Sequence, residues 1–329
     1  MPAEGGTKRT LVALDGYGLA DLTLSPDGRT ALFTSNRGGN QDIWSVPVAG
    51  GAMTVFTASP TYDGDPQWSP DGKQVSFTSN RRGGTNDIWV MPAGGGEARQ
   101  LTDWPSNEWG ARWSPDGSTI AFMSDRDATQ AEVWTIPTAG GEAKRITHNN
   151  AAADEVRWAP DGRTLFYTGA TADGSRQLFR VPATGGAPRA MTHAEGGARI
   201  GNIAVSPDGA QVAYSYFVSG LAFLEVVPAV GGASRRFASD STRSYRIQAE
   251  WSPDGSRIVA SEENYETNFF NLMAVSFPQG TARRLTTTTD AFEGYPRWTP
   301  DGKTLVFGSG RATTRYVTAD LSRLLAKRP

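Results

Sequence analysis

Three observations predict an all-β chain folded as a seven-bladed β-propeller of four-stranded antiparallel blades. A Pro-Asp-Gly turn led by a small residue occurs seven times, at Ser25-Pro26-Asp27-Gly28 and again at residues 69–72, 114–117, 159–162, 206–209, 252–255 and 299–302. Its aspartates stand 44, 45, 45, 47, 46 and 47 residues apart. Between the turns lie short strand-like segments and recurring glycine pairs, the pattern of a repeated sheet unit rather than of a single irregular domain.

The second repeat shows the unit. Residues 65–69 read as a first strand, Asp71-Gly72 closes the turn, and residues 74–78 alternate as a second strand. After the polar loop 79–86, residues 87–91 form a third strand and 98–102 a fourth, counted from the axis outward. Gly94-Gly95-Gly96 joins the last two, echoed by Gly50-Gly51, Gly140-Gly141, Gly185-Gly186 and Gly231-Gly232, because a tight hairpin needs positive φ. The seventh repeat supplies strands at 295–299, 303–307 and near 315–318 but no outer one, whereas residues 9–14 precede the first repeat with no blade of their own. Residues 10–14 are therefore expected to complete blade seven and close the ring, leaving no unpaired edge. Residues 1–329 then form a single domain, with 320–329 a C-terminal tail or linker.

Trp68, Trp113, Trp158, Trp251 and Trp298 share one first-strand position, and Trp44, Trp89 and Trp134 share one third-strand position. A fixed phase is the mark of packing between sheets, and it favours core over an aromatic platform for carbohydrate. Trp104 and Trp109 fall off that phase and stay open as ligand contacts.

Charged residues make up 20% of the chain and the formal net charge is -2, so no global field draws nucleic acid or a membrane surface. With no cysteine, disulfides, thiolate metal sites and thiol catalysis are excluded. No run of about eighteen apolar residues occurs, and the first eight residues lack the apolar stretch of a signal peptide. Either the protein stays inside the cell or a leader has been removed. A monomer without membrane insertion, nucleic-acid partner, metal or cofactor is expected.

The turn preceded by Trp, a second strand ending in Thr-Ser-Asn-Arg, then Asp-Ile-Trp and a closing Leu-Thr, resembles the TolB-type, WD40-like β-propeller repeat. Trp68-Ser69-Pro70-Asp71-Gly72 with Thr78-Ser79-Asn80-Arg81 carries the likeness, which extends over essentially the whole chain. The resemblance implies three kinds of relative: a periplasmic component that binds proteins at the propeller mouth, accessory propellers of tricorn-like and prolyl-oligopeptidase-like proteases, and polysaccharide lyases such as oligogalacturonate lyase. It also implies a periplasmic or extracellular location where a leader has been removed. Two departures matter. TolB itself has six blades and a separate amino-terminal domain, whereas this sequence has seven repeats; the lyases depend on histidine-rich metal centres, whereas only His148 and His193 occur here, each just after a threonine at the same repeat phase.

The first strands carry the pattern closest to a site. One residue before the tryptophan phase stand Thr23, Gln67, Arg112, Arg157, Ala204, Glu250 and Arg297; three before it stand Asp21, Asp65, Gly110, Glu155, Asn202, Gln248 and Tyr295. Strand alternation places both rows on one polar side, facing an axial channel, with Leu22 and its equivalents packed behind. An acidic lip over a basic throat suits a zwitterion or a peptide terminus. The structural alternative is that each arginine pairs with a neighbouring carboxylate.

Arg37, Arg81, Arg126 and Arg311 recur in the loops after the second strands, where a latch to Asp63, Glu108 or Glu293 is the economical reading. Repeats four to six abandon that design. Their loops carry Tyr216-Phe217 and Glu262-Glu263-Asn264-Tyr265-Glu266, and Arg243, Ser244, Tyr245 and Arg246 reach the same face. This mouth is the expected interaction surface, with Trp104, Trp109, Arg199 and Tyr295 as rim contributors.

With no nucleophile elbow, zinc helix or phosphate loop, the leading expectation is a non-enzymatic recognition propeller binding a protein, a peptide end or a small polar or carboxylate ligand. Its candidate residues are Gln67, Arg112, Arg157, Glu250 and Arg297 in the channel and Tyr216, Tyr245, Arg246, Glu262 and Tyr265 at the mouth. Two alternatives stay open. One is a lyase or hydrolase using these tyrosines and glutamates as acid and base, with the acidic pairs Asp63/Asp65 and Asp125/Asp127 compatible with calcium; the other is the accessory propeller of a protease.

Overall fold

The computed structural model describes residues 8–14, 19–127, 129–171, 173–194, 197–219, 221–237, 243–244, 249–264, 269–289, 291–310 and 314–320. Every strand pairing is antiparallel, and each repeat forms its own sheet. In the second repeat the order from the axis is Asp63–Trp68, Gln74–Ser79, Asp87–Pro92 and Arg99–Gln100. The outermost strands are two or three residues long in most repeats, which leaves little free edge for another chain to join.

The expectation of seven uniform four-stranded blades is corrected: there are six four-stranded blades, and the sheet of the sixth repeat has five strands. Its innermost position is split into Arg243–Ser244 and Glu250–Trp251, both paired to Arg257–Asn264. The cause lies in chain length. From Ser244 to Glu250 the inner edge takes six residue steps, against four from Glu263 to Val259 on its partner. In other repeats a surplus of one is absorbed as a bulge, whereas here the surplus between the two described pairings is two.

Lys8–Leu14 pairs with Thr314–Asp320 and becomes the outer strand of the last sheet, so the first and last segments of the ring share one blade. Its Lys8 Nζ lies 2.5 Å from the buried Glu293 carboxylate, which ties the strand to the first strand of the same sheet.

The apolar core is divided among the interfaces between neighbouring sheets. Leu32 and Ile43 of the first repeat meet Val75, Phe77, Trp89 and Met91 of the second; Val306 of the last repeat meets Leu22, Ala31, Phe33 and Val46 of the first. At roughly 25 cal/mol per Å2 of apolar surface removed from water, a ring whose every blade covers two others gains most of its stability at these seams. The first-strand tryptophans add a polar tie. The indole N–H of Trp113 donates to Gln67 O at 3.1 Å, that of Trp158 to Arg112 O at 2.9 Å, and that of Trp251 to Ala204 O at 3.0 Å, each crossing to the preceding repeat. That geometry assigns these tryptophans to the core.

The recurring turn explains its own sequence. Ser25 Oγ donates to Asp27 Oδ1 at 2.6 Å and accepts from Thr30 N at 2.9 Å, while Gly28, with φ of 71°, donates its N–H to Ser25 O. The closing threonine has a comparable role: Thr102 Oγ1 accepts from Ile88 N at 2.9 Å and donates to Asp87 at 3.2 Å, pinning outer chain to third strand.

Candidate functional site: an axial cavity of paired arginines and carboxylates

The first strands reach the axis by a route that simple alternation does not give. Register shifts by one residue between Ala20 and Thr23, Gly64 and Gln67, Trp109 and Arg112, Gly201 and Ala204, and Gly294 and Arg297. The bulge holds Asp21, Asp65, Asn202 and Tyr295 at φ of 56°, 49°, 54° and 55°, and Gly110 at 68°. Aspartate and asparagine tolerate this left-handed conformation and glycine adopts it freely, whereas a tyrosine there is strained. In the fourth repeat Glu155 stays in regular register with Thr168.

Inside lie two adjoining cavities. The larger, about 870 Å3, is walled by Gln67, Arg112, Arg157, Arg176, Arg199 and Arg297 with Asp154, Glu155, Asn202 and Glu250. The smaller, about 310 Å3, is walled by Asp21, Tyr62, Asp65, Thr78, Trp109, Gly110 and Met123, and shares Arg112, Asp154 and Glu155 with the larger. Each throat arginine has a carboxylate partner: Arg112 with Asp65 at 3.2 Å, Arg157 with Glu155 at 2.6 Å, and Arg297 with Glu250 at 3.3 Å. The carboxylates also bind the backbone of the next repeat. Glu155 accepts from Ile203 N at 3.1 Å, Glu250 from Trp298 N at 3.2 Å, and Asp21 from Asp65 N at 3.3 Å. The pairing alternative therefore describes real contacts, and they fix the arginines in place.

Burial perturbs the group. Arg157 is pushed down to about 10, chiefly by loss of solvent, against the pull of Glu155 and with repulsion from Arg112 and Arg297. Burial raises Glu250 despite Arg297 beside it. Asp21 is raised by burial and then by Asp65, and burial with Asp21 raises the Tyr295 hydroxyl.

Gln67, Arg112, Arg157, Glu250 and Arg297 thus share one cavity. The mouth residues divide differently. Glu262 is 1% exposed and holds Arg284 at 2.8 Å, an internal tie between second and outer strands. Tyr216 is half-buried against the core between the fourth and fifth repeats, with the Arg236 guanidinium 5.6 Å from its ring; its neighbour Phe217 lines the large cavity instead. Tyr245, Arg246 and Tyr265 lie outside the described residues. Among the rim residues, Trp104 packs against Phe122 and Trp134 under Arg126, Arg199 joins the large cavity and Trp109 the small one.

Among the described residues the latch holds in one repeat: Arg81 meets Asp63 at 2.7 Å. Arg126 turns instead to Asp127 at 3.1 Å and covers Trp104 at 4.3 Å, and Glu293 is taken by Lys8. Arg311 lies outside the described residues. His148 and His193 are both exposed, and among the described residues no group of three or more His, Asp or Glu side chains converges to hold a metal. Asp154 and Arg176 were not anticipated. Both depart from their repeat equivalents, Gly64 and Asn86, and a charge appearing at an otherwise neutral phase is the signal that could have found them.

Residues 4–104 match the TolB beta propeller domain, and residues 84–202 match the Tricorn protease N-terminal beta propeller domain. The first two repeats are of the TolB type. Among solved structures, the chain superposes on an oligogalacturonate lyase from Vibrio parahaemolyticus with a TM-score of 0.73 at 15% identity, covering 97% of this chain and 99% of the lyase. A puromycin-hydrolyzing peptidase of Mycobacterium tuberculosis gives 0.69 at 13% identity, covering 89% of this chain and 49% of the peptidase. A putative TolB from Agrobacterium tumefaciens gives 0.54 at 19% identity, covering 92% of this chain and 90% of that one. At such identities these likenesses show the shared propeller fold, within which this chain carries its own axial cavity.

Proposed function

We propose that this is a non-enzymatic recognition propeller whose axial cavity holds the carboxylate of a peptide end or of a small polar ligand. One observation carries the reading: along the larger cavity five arginines, Arg112, Arg157, Arg176, Arg199 and Arg297, stand against three carboxylates, Asp154, Glu155 and Glu250. The excess of positive charge, in a space of ordinary ligand-pocket size, favours an anionic group that can accept forked hydrogen bonds. Arg157 is the centre of the set, since Arg112 and Arg297 both repel it and an added carboxylate relieves all three.

Calorimetric titration with short peptides bearing a free C-terminus, compared with Arg157→Gln, tests this. At least tenfold weaker binding by the variant, with an unchanged circular dichroism spectrum, is expected. Equal affinity for the two proteins would overturn it.

A second reading, a lyase acting on a carboxylated sugar polymer, draws support from the end-to-end likeness to oligogalacturonate lyase. Against it, Glu155 and Glu250 are ion-paired, Glu262 is tied to Arg284, and Tyr216 does not line the cavity. An ultraviolet assay for an unsaturated product decides that point. A third reading, an accessory propeller beside a protease, is supported by the tricorn match and by the half-length correspondence with the peptidase; the same cavity would then screen peptide ends.

A further inference from the structure

We propose that the smaller cavity is an ammonium site, so that the ligand of the axial cavity is a short zwitterionic peptide with its amino group here and its carboxylate among the arginines. The second half of that statement rests on the recognition reading above; the first half stands on separate observations.

The smaller cavity inverts the charge of the larger. Its walls carry Asp21, Asp65, Asp154 and Glu155 against Arg112 alone. Acidic walls by themselves specify nothing, but a second feature points to a hydrogen-bonding guest. Thr78 is 2% exposed, lines the cavity, and its Oγ1 has no hydrogen-bond partner among the described residues. The equivalent hydroxyl of the first repeat, Thr34 Oγ1, donates to Asp21 at 3.0 Å. In the second repeat the corresponding acid, Asp65, is drawn toward Arg112. That leaves Thr78 facing the cavity with an acceptor and a donor to satisfy, and a buried hydroxyl left unpaired costs about 1–3 kcal/mol.

The remaining walls fit the same guest. Gly110 occupies the position that holds aspartate in the first two repeats, and Met123 packs where its Cβ would stand, so this part of the wall is apolar. Tyr62 and Trp109 supply aromatic walls, which attract an organic cation. A primary ammonium has three donors, enough to serve Thr78 Oγ1 and the carboxylates together. Because both cavities share Arg112, Asp154 and Glu155, a single small molecule can span them.

The test uses three probes on the full chain: Ala-Ala-Ala, its N-acetyl form and its C-terminal amide. The expected result is measurable binding of the free tripeptide, at least tenfold weaker binding of the acetylated form, and a several-fold loss of free-peptide affinity in Thr78→Val. Asp21→Asn serves as a second variant in case the first misfolds, and both should leave affinity for the acetylated form unchanged. Acetylated and free peptide binding equally would overturn the ammonium site and leave the carboxylate reading standing. Amide and free peptide binding equally, with the acetylated form weak, would keep the ammonium site and overturn the carboxylate reading. No binding of any probe would overturn both.

Discussion

Glu108 is the uncompensated member of a series. Asp63 and Glu293 occupy the same strand position and are met by Arg81 and Lys8, but the arginine of the third repeat lies over Trp104. Glu108 is fully buried, accepts from Ser106 and Ser124 through Oε1, and leaves Oε2 without a partner among the described residues. Burial, with Asp87 beside it, pushes its carboxyl up to about 7. A folded-state value above the unfolded one means that the native protein holds this proton longer. The associated stability is present below about pH 4.5 and is lost as pH rises through about 7. Glu108→Gln should therefore match the parent in stability near pH 4.5 and exceed it at pH 8 by about 3 kcal/mol, seen as a higher melting temperature at pH 8 alone. Parallel melting curves across that range would sink the assignment. The latch itself was legible as a recurring arginine, but which repeats use it was not, because the choice depends on where Trp104 packs.

At the scale of the element, the Ser-Pro-Asp-Gly turn is the most transparent part of the sequence. Its serine bridges Asp Oδ1 and the strand N–H five residues on, as at Ser69 and Ser114. The fourth repeat has Ala159 in that place, and among the described residues Asp161 keeps the bond from Arg163 N at 2.9 Å without the serine's. Restoring the serine by Ala159→Ser should raise stability by about 1 kcal/mol, read as a shift in denaturant midpoint with an unchanged slope. The first strands were less legible. The residues facing the axis could be picked out from their phase, yet the bulge could not, since a left-handed aspartate such as Asp21 or Asp65 looks like any other residue of an alternating strand. The doubled surplus before Glu250 escaped for the same reason: turn spacing reports the length of a repeat, not where within it the extra residues sit.

For the molecule as a whole, the shared blade is the decisive contact. The need for residues 10–14 to complete the last sheet was visible because one repeat lacked a strand and another segment lacked a repeat; the Lys8 contact with Glu293 was not, because it joins positions 285 residues apart. Removing residues 1–14 should lower the melting temperature and promote association through the bared edge of Thr314–Asp320, measured by light scattering on heating. An unchanged melt with no increase in scattering would show that the ring closes without that strand.

The antiparallel pairing of that blade sets Lys8 opposite Ala319 and Leu14 opposite Thr314. A force applied at residues 8 and 320 therefore loads the ladder at one end and opens it bond by bond, like a zip. The same force applied along the strands elsewhere must shear many bonds together. A tether attached at residues 8 and 320 would act on that ladder as a release catch rather than a handle.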